Sequence, residues 1–335
     1  MSIVKKQRIE SIDILRGLAM IIMALDHVRD YFHAGANLDD PLNLETTTPF
    51  LFFTRWITHF CAPVFVFLSG TSVYLQSLRK TRKELSVFLV TRGLWLILLE
   101  VGIVTFGWTF DFLYHTLIFQ VIWAIGISMV ILGLIIHLPF KIVVGIGIII
   151  VLLHNVLDFL EADAHYQAGL LMDLLHHGRF VAYPFAANHV ILIAYAFLPW
   201  TGLMIVGYGF GKIMELTDRK KWLNRMGISL IILFIILRFS NVYGDPFQWG
   251  AQKNGLYSFL SFIKVNKYPP SLLYMCMTIG PALLFLSFID SVKNKITAIL
   301  KVYGRVALFY YLLHLYIIHI LIVIDFLRKG NSLQD

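Results

Sequence analysis

Nine mainly apolar stretches recur along this chain, most of them long enough to cross a bilayer as a helix. They fall near 12–32, 50–77, 85–107, 112–136, 142–158, 189–213, 226–240, 270–289 and 306–326. A hydrocarbon core of roughly 30 Å takes about 20 mainly apolar residues per helix. Backbone exposed to lipid must satisfy its own hydrogen bonds, which leaves helices and closed barrels as spanning structures. The pattern therefore predicts an all-α, polytopic membrane helix bundle with nine spans, forming one membrane-embedded domain over 1–335. The 226–240 stretch is short and ends at Arg238, so it is expected to continue into the next segment. Composition agrees. The chain is 58% hydrophobic and 14% charged, whereas soluble domains are nearer half and about a quarter. A soluble enzyme, a disordered chain and a secreted disulfide scaffold are excluded.

The basic residues report orientation. Lys5, Lys6 and Arg8 precede the first stretch. Arg79, Lys80, Arg82 and Lys83 separate the second and third, and Lys141 the fourth and fifth. Lys212, Arg219, Lys220, Lys221 and Arg225 separate the sixth and seventh, and Lys293, Lys295, Lys301 and Arg305 the eighth and ninth. These clusters hold more than half of the 28 basic residues. They occupy every second loop, so they share one side, the cytoplasmic one. The net charge of +8 is thus topology information, and no nucleic-acid partner is expected. The intervening loops carry Asp39, Asp40, Glu45, Asp111, Glu161, Asp163, Asp173 and Asp245. The N-terminus is then cytoplasmic and the C-terminus outside. The two long outer loops, about 159–188 and 241–269, are expected to be functional. No cleavage site follows the first stretch, so it reads as a span and not as a signal peptide. Cys61 and Cys276 both lie inside apolar stretches, so neither a disulfide framework nor a metal site is expected.

Ionisable residues inside spans are expensive and default to a functional reading. The first span carries Asp13, Arg16, Asp26, His27, Arg29 and Asp30. Arg16 and His27 are 11 residues apart, which is three helical turns plus about 20° and about 16 Å of rise. They share one face. Asp13 is placed to pair with Arg16, and Asp30 to orient the His27 ring, each across three residues. The competing reading has Asp13 and Arg16 snorkelling at the inner interface. In the second span Arg55 and His59 are four apart on one face. Pro63 removes the amide donor to the His59 carbonyl, so the helix should bend there. Such a bend serves either a membrane-embedded site or ordinary packing. Arg92 near the inner end of the third span meets a phosphate or snorkels. His314 in the last span reads as a hydrogen-bonding residue of the bundle. No HExxH, GxSxG or P-loop pattern occurs.

At Ser11-Ile-Asp13-Ile-Leu-Arg16-Gly17-Leu-Ala, ending in Asp26-His27, the sequence resembles the catalytic domain of heparan-α-glucosaminide N-acetyltransferase and its bacterial relatives, within the wider transmembrane acyltransferase superfamily. The Arg-x10-His spacing of Arg16 and His27 is similar to the first-helix motif of the bacterial branch. Arg55 to Gly70, Asn241-Val-Tyr243-Gly244-Asp245-Pro246 and Lys267-Tyr268-Pro269-Pro270-Ser271 carry the likeness further. The resemblance implies a multi-pass protein of the bacterial cytoplasmic membrane. Such a protein takes an acyl group, usually acetyl, from cytoplasmic acyl-CoA and passes it to a hydroxyl or amine of an extracytoplasmic sugar. It implies catalytic His27, and Arg16 as the matched arginine. In the animal enzyme asparagine stands where His27 does; its histidine lies further along, where His33 and His59 are the nearest candidates here. The family core has ten helices, so a final return helix is expected to be missing. A homodimer is an assembly that the resemblance allows.

On this reading Arg16 and Arg92, with Asp13, serve the acyl-CoA. His27 abstracts the acceptor's proton or accepts the acyl group, with Asp26 or Asp30 setting its tautomer and His59 as proton partner or oxyanion donor. Arg55, Asn241, Tyr243, Asp245, Trp249, Lys267 and Tyr268 receive the saccharide; an aromatic belt is the alternative for Tyr243 to Trp249. A secondary transporter, or a non-catalytic membrane protein of envelope assembly, are the alternatives to an enzyme.

Overall fold

The computed structural model describes residues 8–33, 40–162, 166, 169–178 and 180–329. Lys5, Lys6, Asp39 and Asp163, used above to set orientation, lie outside the described residues.

Each of the nine apolar stretches contains a helix. They are α1 (Glu10–Phe32), α2 (Pro49–Trp56) running through a 3-10 turn (Ile57–Phe60) into α3 (Cys61–Ser77), and α4 (Arg82–Leu99) continued by a π turn (Glu100–Val104) and α5 (Thr105–Thr109). After a short strand β1 (Thr116–Phe119) come α6 (Val121–Ile135), α7 (Phe140–Leu153), α8 (Val156–Glu161) and α9 (Leu170–Leu175). A hairpin of β2 (Val181–Ala186) and β3 (His189–Ile193) leads to α10 (Phe197–Phe210). The chain closes with α11 (Arg219–Ser240), α12 (Gly255–Ile263), α13 (Leu272–Ile289), α14 (Lys295–Arg305) and α15 (Ala307–Arg328). Six continuous helical segments among the described residues are long and apolar enough to span a membrane: Pro49–Ser77, Arg82–Thr109, Phe140–Glu161, Arg219–Ser240, Leu272–Ile289 and Ala307–Arg328. The chain is a polytopic membrane helix bundle.

Two stretches begin differently from the expectation. Thr116–Phe119 and His189–Ile193 form strands and not the first turns of helices. β1 pairs with β3 in parallel, β2 pairs with β3 antiparallel, and the sheet order is β1-β3-β2. Pairing satisfies the backbone without a helix, which is what non-helical chain buried within a membrane protein requires. As a result α6 and α10 are only 15 and 14 residues long. The seventh stretch also differs: α11 extends back to Arg219 and stops at Ser240, with Asn241 in the left-handed region.

Helix α1 is held at its basic end by α14. A Cβ on Gly17 would stand 1.8 Å from the Leu300 carbonyl oxygen, and one on Gly304 1.8 Å from that of Asp13. Only glycine permits that approach, the small-residue packing typical of membrane helices. The same end is tied by an ion pair from Lys301 to Glu10 (2.9 Å) and by the Ser11 hydroxyl, which donates to Asp290 (2.7 Å). Gly304→Val should therefore lower the melting temperature in detergent, with a loss of about 1–3 kcal/mol from overpacking. Gly250→Val, where nothing lies within 4 Å of the added carbon, should leave the melt unchanged.

Candidate functional site

Two cavities lie along α1, one toward each of its ends. The one toward its N-terminal end, called inner after the orientation expected from the basic loops, is about 440 Å³ and is lined by Arg16, Arg92 and Arg305 together with Ser69, Ser72 and Gln76. The outer one, about 780 Å³, is lined by Asp26, His27, Arg29, Asp30, Arg55 and Lys267, with Tyr268, Tyr195, Gln120 and Trp108. Met23, Phe65, Val121 and Tyr311 line both. The two chambers thus share a wall of four side chains, and α1 presents Arg16 to one and His27 to the other, in keeping with their common helical face.

At the inner end Asp13 is buried and is the hub of a cationic cluster. Arg8 donates to it at 2.8 Å, Arg16 lies 3.4 Å away and Arg305 3.7 Å away. Arg16 also donates to the Ser72 hydroxyl on α3 at 3.1 Å. Asp13 is thus occupied in holding the arginines and is not among the residues that line the cavity. Arg92 is exposed at the rim.

At the outer end Asp26 plays the same part. It accepts from Arg29, from the Arg55 guanidinium at 2.7 and 2.8 Å, and from the Thr58 hydroxyl at 2.9 Å. Arg29 also donates to Asp30 at 2.8 Å. The expectation that Asp26 or Asp30 sets the His27 tautomer is therefore corrected: both carboxylates are engaged by arginines. The His27 ring partner is His314 on α15, Nδ1 to Nε2, at 2.7 Å. Trp108 packs edge-on against the same ring, centroids 5.0 Å apart.

Arg55 and His59 do not share a face. The 3-10 turn at Ile57–Phe60 changes the angle per residue. Arg55 reaches the outer cavity, whereas the His59 ring is buried edge-on against Tyr274, 5.4 Å away, and lines neither cavity. The expected consequence of Pro63 is present in another form: the free His59 carbonyl accepts from the Tyr274 hydroxyl at 2.7 Å. His33 is exposed just beyond α1.

The outer-loop residues divide. Lys267 and Tyr268 line the outer cavity. Lys267 is buried, its ammonium 5.1 Å from the Tyr268 ring centroid, and no carboxylate among the described residues stands within ion-pair distance. Burial pushes the Tyr268 phenol up, but Lys267 and Arg55 outweigh it, so the group sits below its ordinary value. Asn241, Tyr243, Asp245 and Trp249 do not line this cavity. Asn241 donates to the Trp249 carbonyl at 2.8 Å, and Tyr243 to the Leu152 carbonyl at 2.5 Å. Asp245 accepts from Ser271 at 2.7 Å and from the Asn266 amide at 2.8 Å. Trp249 packs on Phe239 and Phe262. These four build the loop from which Lys267 and Tyr268 project. Arg238, expected only as the end of a span, donates to the carbonyls of Phe247 and Lys264 and to those of Ser261 and Phe262 at the end of α12.

Glu100 is fully buried in the π turn and accepts from the backbone amides of Gln120 and Trp123, each at 3.1 Å. A carboxylate so placed satisfies the orphan amides that open a helix and matches its dipole. It fixes the start of α6, and with it Val121, at the wall between the cavities. Asp158, Glu161 and His176 form the one mixed cluster of metal-ligand type among the described residues, with donor atoms within 4.8 Å of one another; it stands apart from both cavity linings.

Fold and site together define a class: a polytopic membrane protein with an arginine-lined inner chamber and a histidine-bearing outer chamber that share one wall. Residues 8–241 match the family model described as heparan-alpha-glucosaminide N-acetyltransferase, catalytic. The chain belongs to that family, and it is a transmembrane protein of acetyltransferase type. No curated protein matches the chain. Lys267, Tyr268 and His314 fall beyond the matched residues.

Glu100→Leu should strip the Gln120 and Trp123 amides of their acceptor, at about 1–3 kcal/mol each. The expected result is a lower melting temperature, read by thermal unfolding in detergent, while Gly250→Val again serves as the neutral control.

Proposed function

We propose that this protein transfers an acetyl group from acetyl-CoA, bound at the inner chamber, to a hydroxyl or amine of a saccharide held in the outer chamber. The observation that carries the reading is the shared wall of Met23, Phe65, Val121 and Tyr311 between an arginine-lined cavity and one that bears His27.

Chemistry supports each assignment. CoA is an anionic nucleotide with a long, flexible thioester arm. Arg16, Arg92 and Arg305 supply the positive charge for its phosphates, since guanidinium matches phosphate geometry. The thioester is then directed along α1 toward Tyr311 and His27. His27 takes the proton from the acceptor as general base. The acceptor's oxygen or nitrogen forms a bond to the thioester carbonyl carbon, and the carbon–sulfur bond breaks. CoA leaves as thiolate with that electron pair, and the proton held on His27 goes to the sulfur. Lys267 and Arg55 place positive charge where the carbonyl oxygen becomes anionic. Tyr268, Tyr195 and Gln120 offer ring faces and hydrogen bonds to a sugar. Asp26 and Asp30 act by holding Arg29 and Arg55, and Asp13 by holding Arg16. The basic loops and the resemblance support a donor on the cytoplasmic side of a bacterial inner membrane.

The test is acetyl-CoA consumption by purified protein with glucosamine-terminated oligosaccharides as acceptors. His27→Ala should lower kcat by about 10²–10⁴-fold, with acetyl-CoA binding retained in calorimetry. Arg92→Ala should weaken acetyl-CoA binding by about tenfold, the equivalent of about 1.4 kcal/mol. Full turnover in His27→Ala would remove the catalytic assignment.

A further inference from the structure

His314 sits on α15 287 residues beyond its partner, outside the family match and without a role in the reading above. Its two ring nitrogens have different neighbours. Nδ1 lies 2.8 Å from the Tyr310 carbonyl oxygen, one turn back on the same helix. A carbonyl only accepts, so Nδ1 of His314 carries the hydrogen. In the neutral ring Nε2 is then a bare lone pair. That lone pair lies 2.7 Å from Nδ1 of His27, so Nδ1 of His27 must be the donor. The hydrogen of a neutral His27 is thereby placed on Nδ1, and its Nε2 is left bare.

The ring geometry fits this account. The His27 and His314 rings are inclined by only 8°, with centroids 4.9 Å apart. That separation is what two rings and one 2.7 Å bond require when laid end to end in a single plane. The contact is an in-plane N–H···N bond and not a face-to-face stack. Tyr310 lies flat against His314 at 5.2 Å, and Trp108 edge-on against His27, so neither ring is free to turn without losing a neighbour. No other hydrogen-bond partner of the His27 ring is found among the described residues. His27 lines the outer cavity and His314 lines neither. The nitrogen left bare is thus on the ring that faces the acceptor chamber.

We propose that His314 is the positioning residue of this site: it fixes the tautomer of His27, so that Nε2 is the base. The inference rests on the proposed acyl transfer. When His27 takes the acceptor's proton on Nε2, its Nδ1–H remains bonded to His314 Nε2, and the new positive charge is spread toward a second imidazole. A carboxylate does this duty in many hydrolases. Here the nearby carboxylates are committed to Arg29 and Arg55, and a neutral histidine takes the place without adding a buried charge.

The experiment compares wild type, His314→Leu and His314→Gln in detergent, with acetyl-CoA and a glucosamine-terminated oligosaccharide. Leucine fills the space and removes the acceptor; glutamine returns an acceptor oxygen near the position of Nε2. The expected result is a fall in kcat of about 10²-fold or more for His314→Leu, with KM for both substrates and the melting temperature nearly unchanged. His314→Gln should recover most of that loss. A folded His314→Leu protein with wild-type kcat, or equal loss in the leucine and glutamine variants, overturns the proposal. Selective ¹⁵N-histidine NMR of the wild type reads the tautomer without any variant at 314, with His27→Asn identifying the signal. A protonated Nδ1 and bare Nε2 on His27 is expected, and a protonated Nε2 with bare Nδ1 overturns it. If the wild type transfers no acetyl group to any acceptor, the parent reading falls, while the NMR result still decides the ring pairing.

Discussion

The arrangement of the outer chamber depends on one buried carboxylate. Asp26 sits inside the bundle with Arg29, Arg55 and Thr58 converging on it. A charge in a membrane protein's interior persists only when paired and hydrogen-bonded, and Asp26 is both. Arg29 comes from its own helix, and Arg55 and Thr58 from the α2 end of the next span. The cluster therefore locks the outer half of α1 against the segment that follows it. Because Asp26 immediately precedes His27, the same lock presents the imidazole edge to His314.

The inner end repeats the logic with the same signs. There a single carboxylate, Asp13, gathers Arg8, Arg16 and Arg305. The surplus of guanidinium leaves a positive face toward the inner cavity, where an anionic nucleotide would sit. At the outer end the surplus is Lys267, for which no carboxylate stands within ion-pair distance among the described residues. Between the two ends the shared wall is apolar apart from the Tyr311 hydroxyl. Glu100 keeps that wall in place by capping α6 from inside the bundle.

Much of this was legible in the sequence because it is local. Arg16 and His27 share a face by helical arithmetic, and the nine apolar stretches each hold a helix. Asp13 beside Arg16 follows from a three-residue spacing. What was not legible comes from interruptions of periodicity and from distant partners. The 3-10 turn before Pro63 moved His59 off the face of Arg55, and no spacing rule marks it. The strands at 116–119 and 189–193 pair only with each other and with their hairpin mate, so their apolar residues read as the starts of helices. Tyr243, Asp245 and Trp249 have the composition of a sugar site, yet their polar and aromatic groups are used to shape the loop. His314 meets His27 across nearly the whole chain, and no local spacing marks that contact.

The central claim is transfer across the membrane between two chambers, and sided reconstitution tests it most directly. The protein is sealed into liposomes, with its orientation set by protease accessibility of the basic loops. Isotopically labelled acetyl-CoA is supplied only on the side of those loops, and glucosamine-terminated oligosaccharide only on the other. The account predicts labelled acetyl on the oligosaccharide, read by mass spectrometry, and none when the two compartments are exchanged. Equal labelling in both arrangements, or labelling only when donor and acceptor share one side, would contradict it.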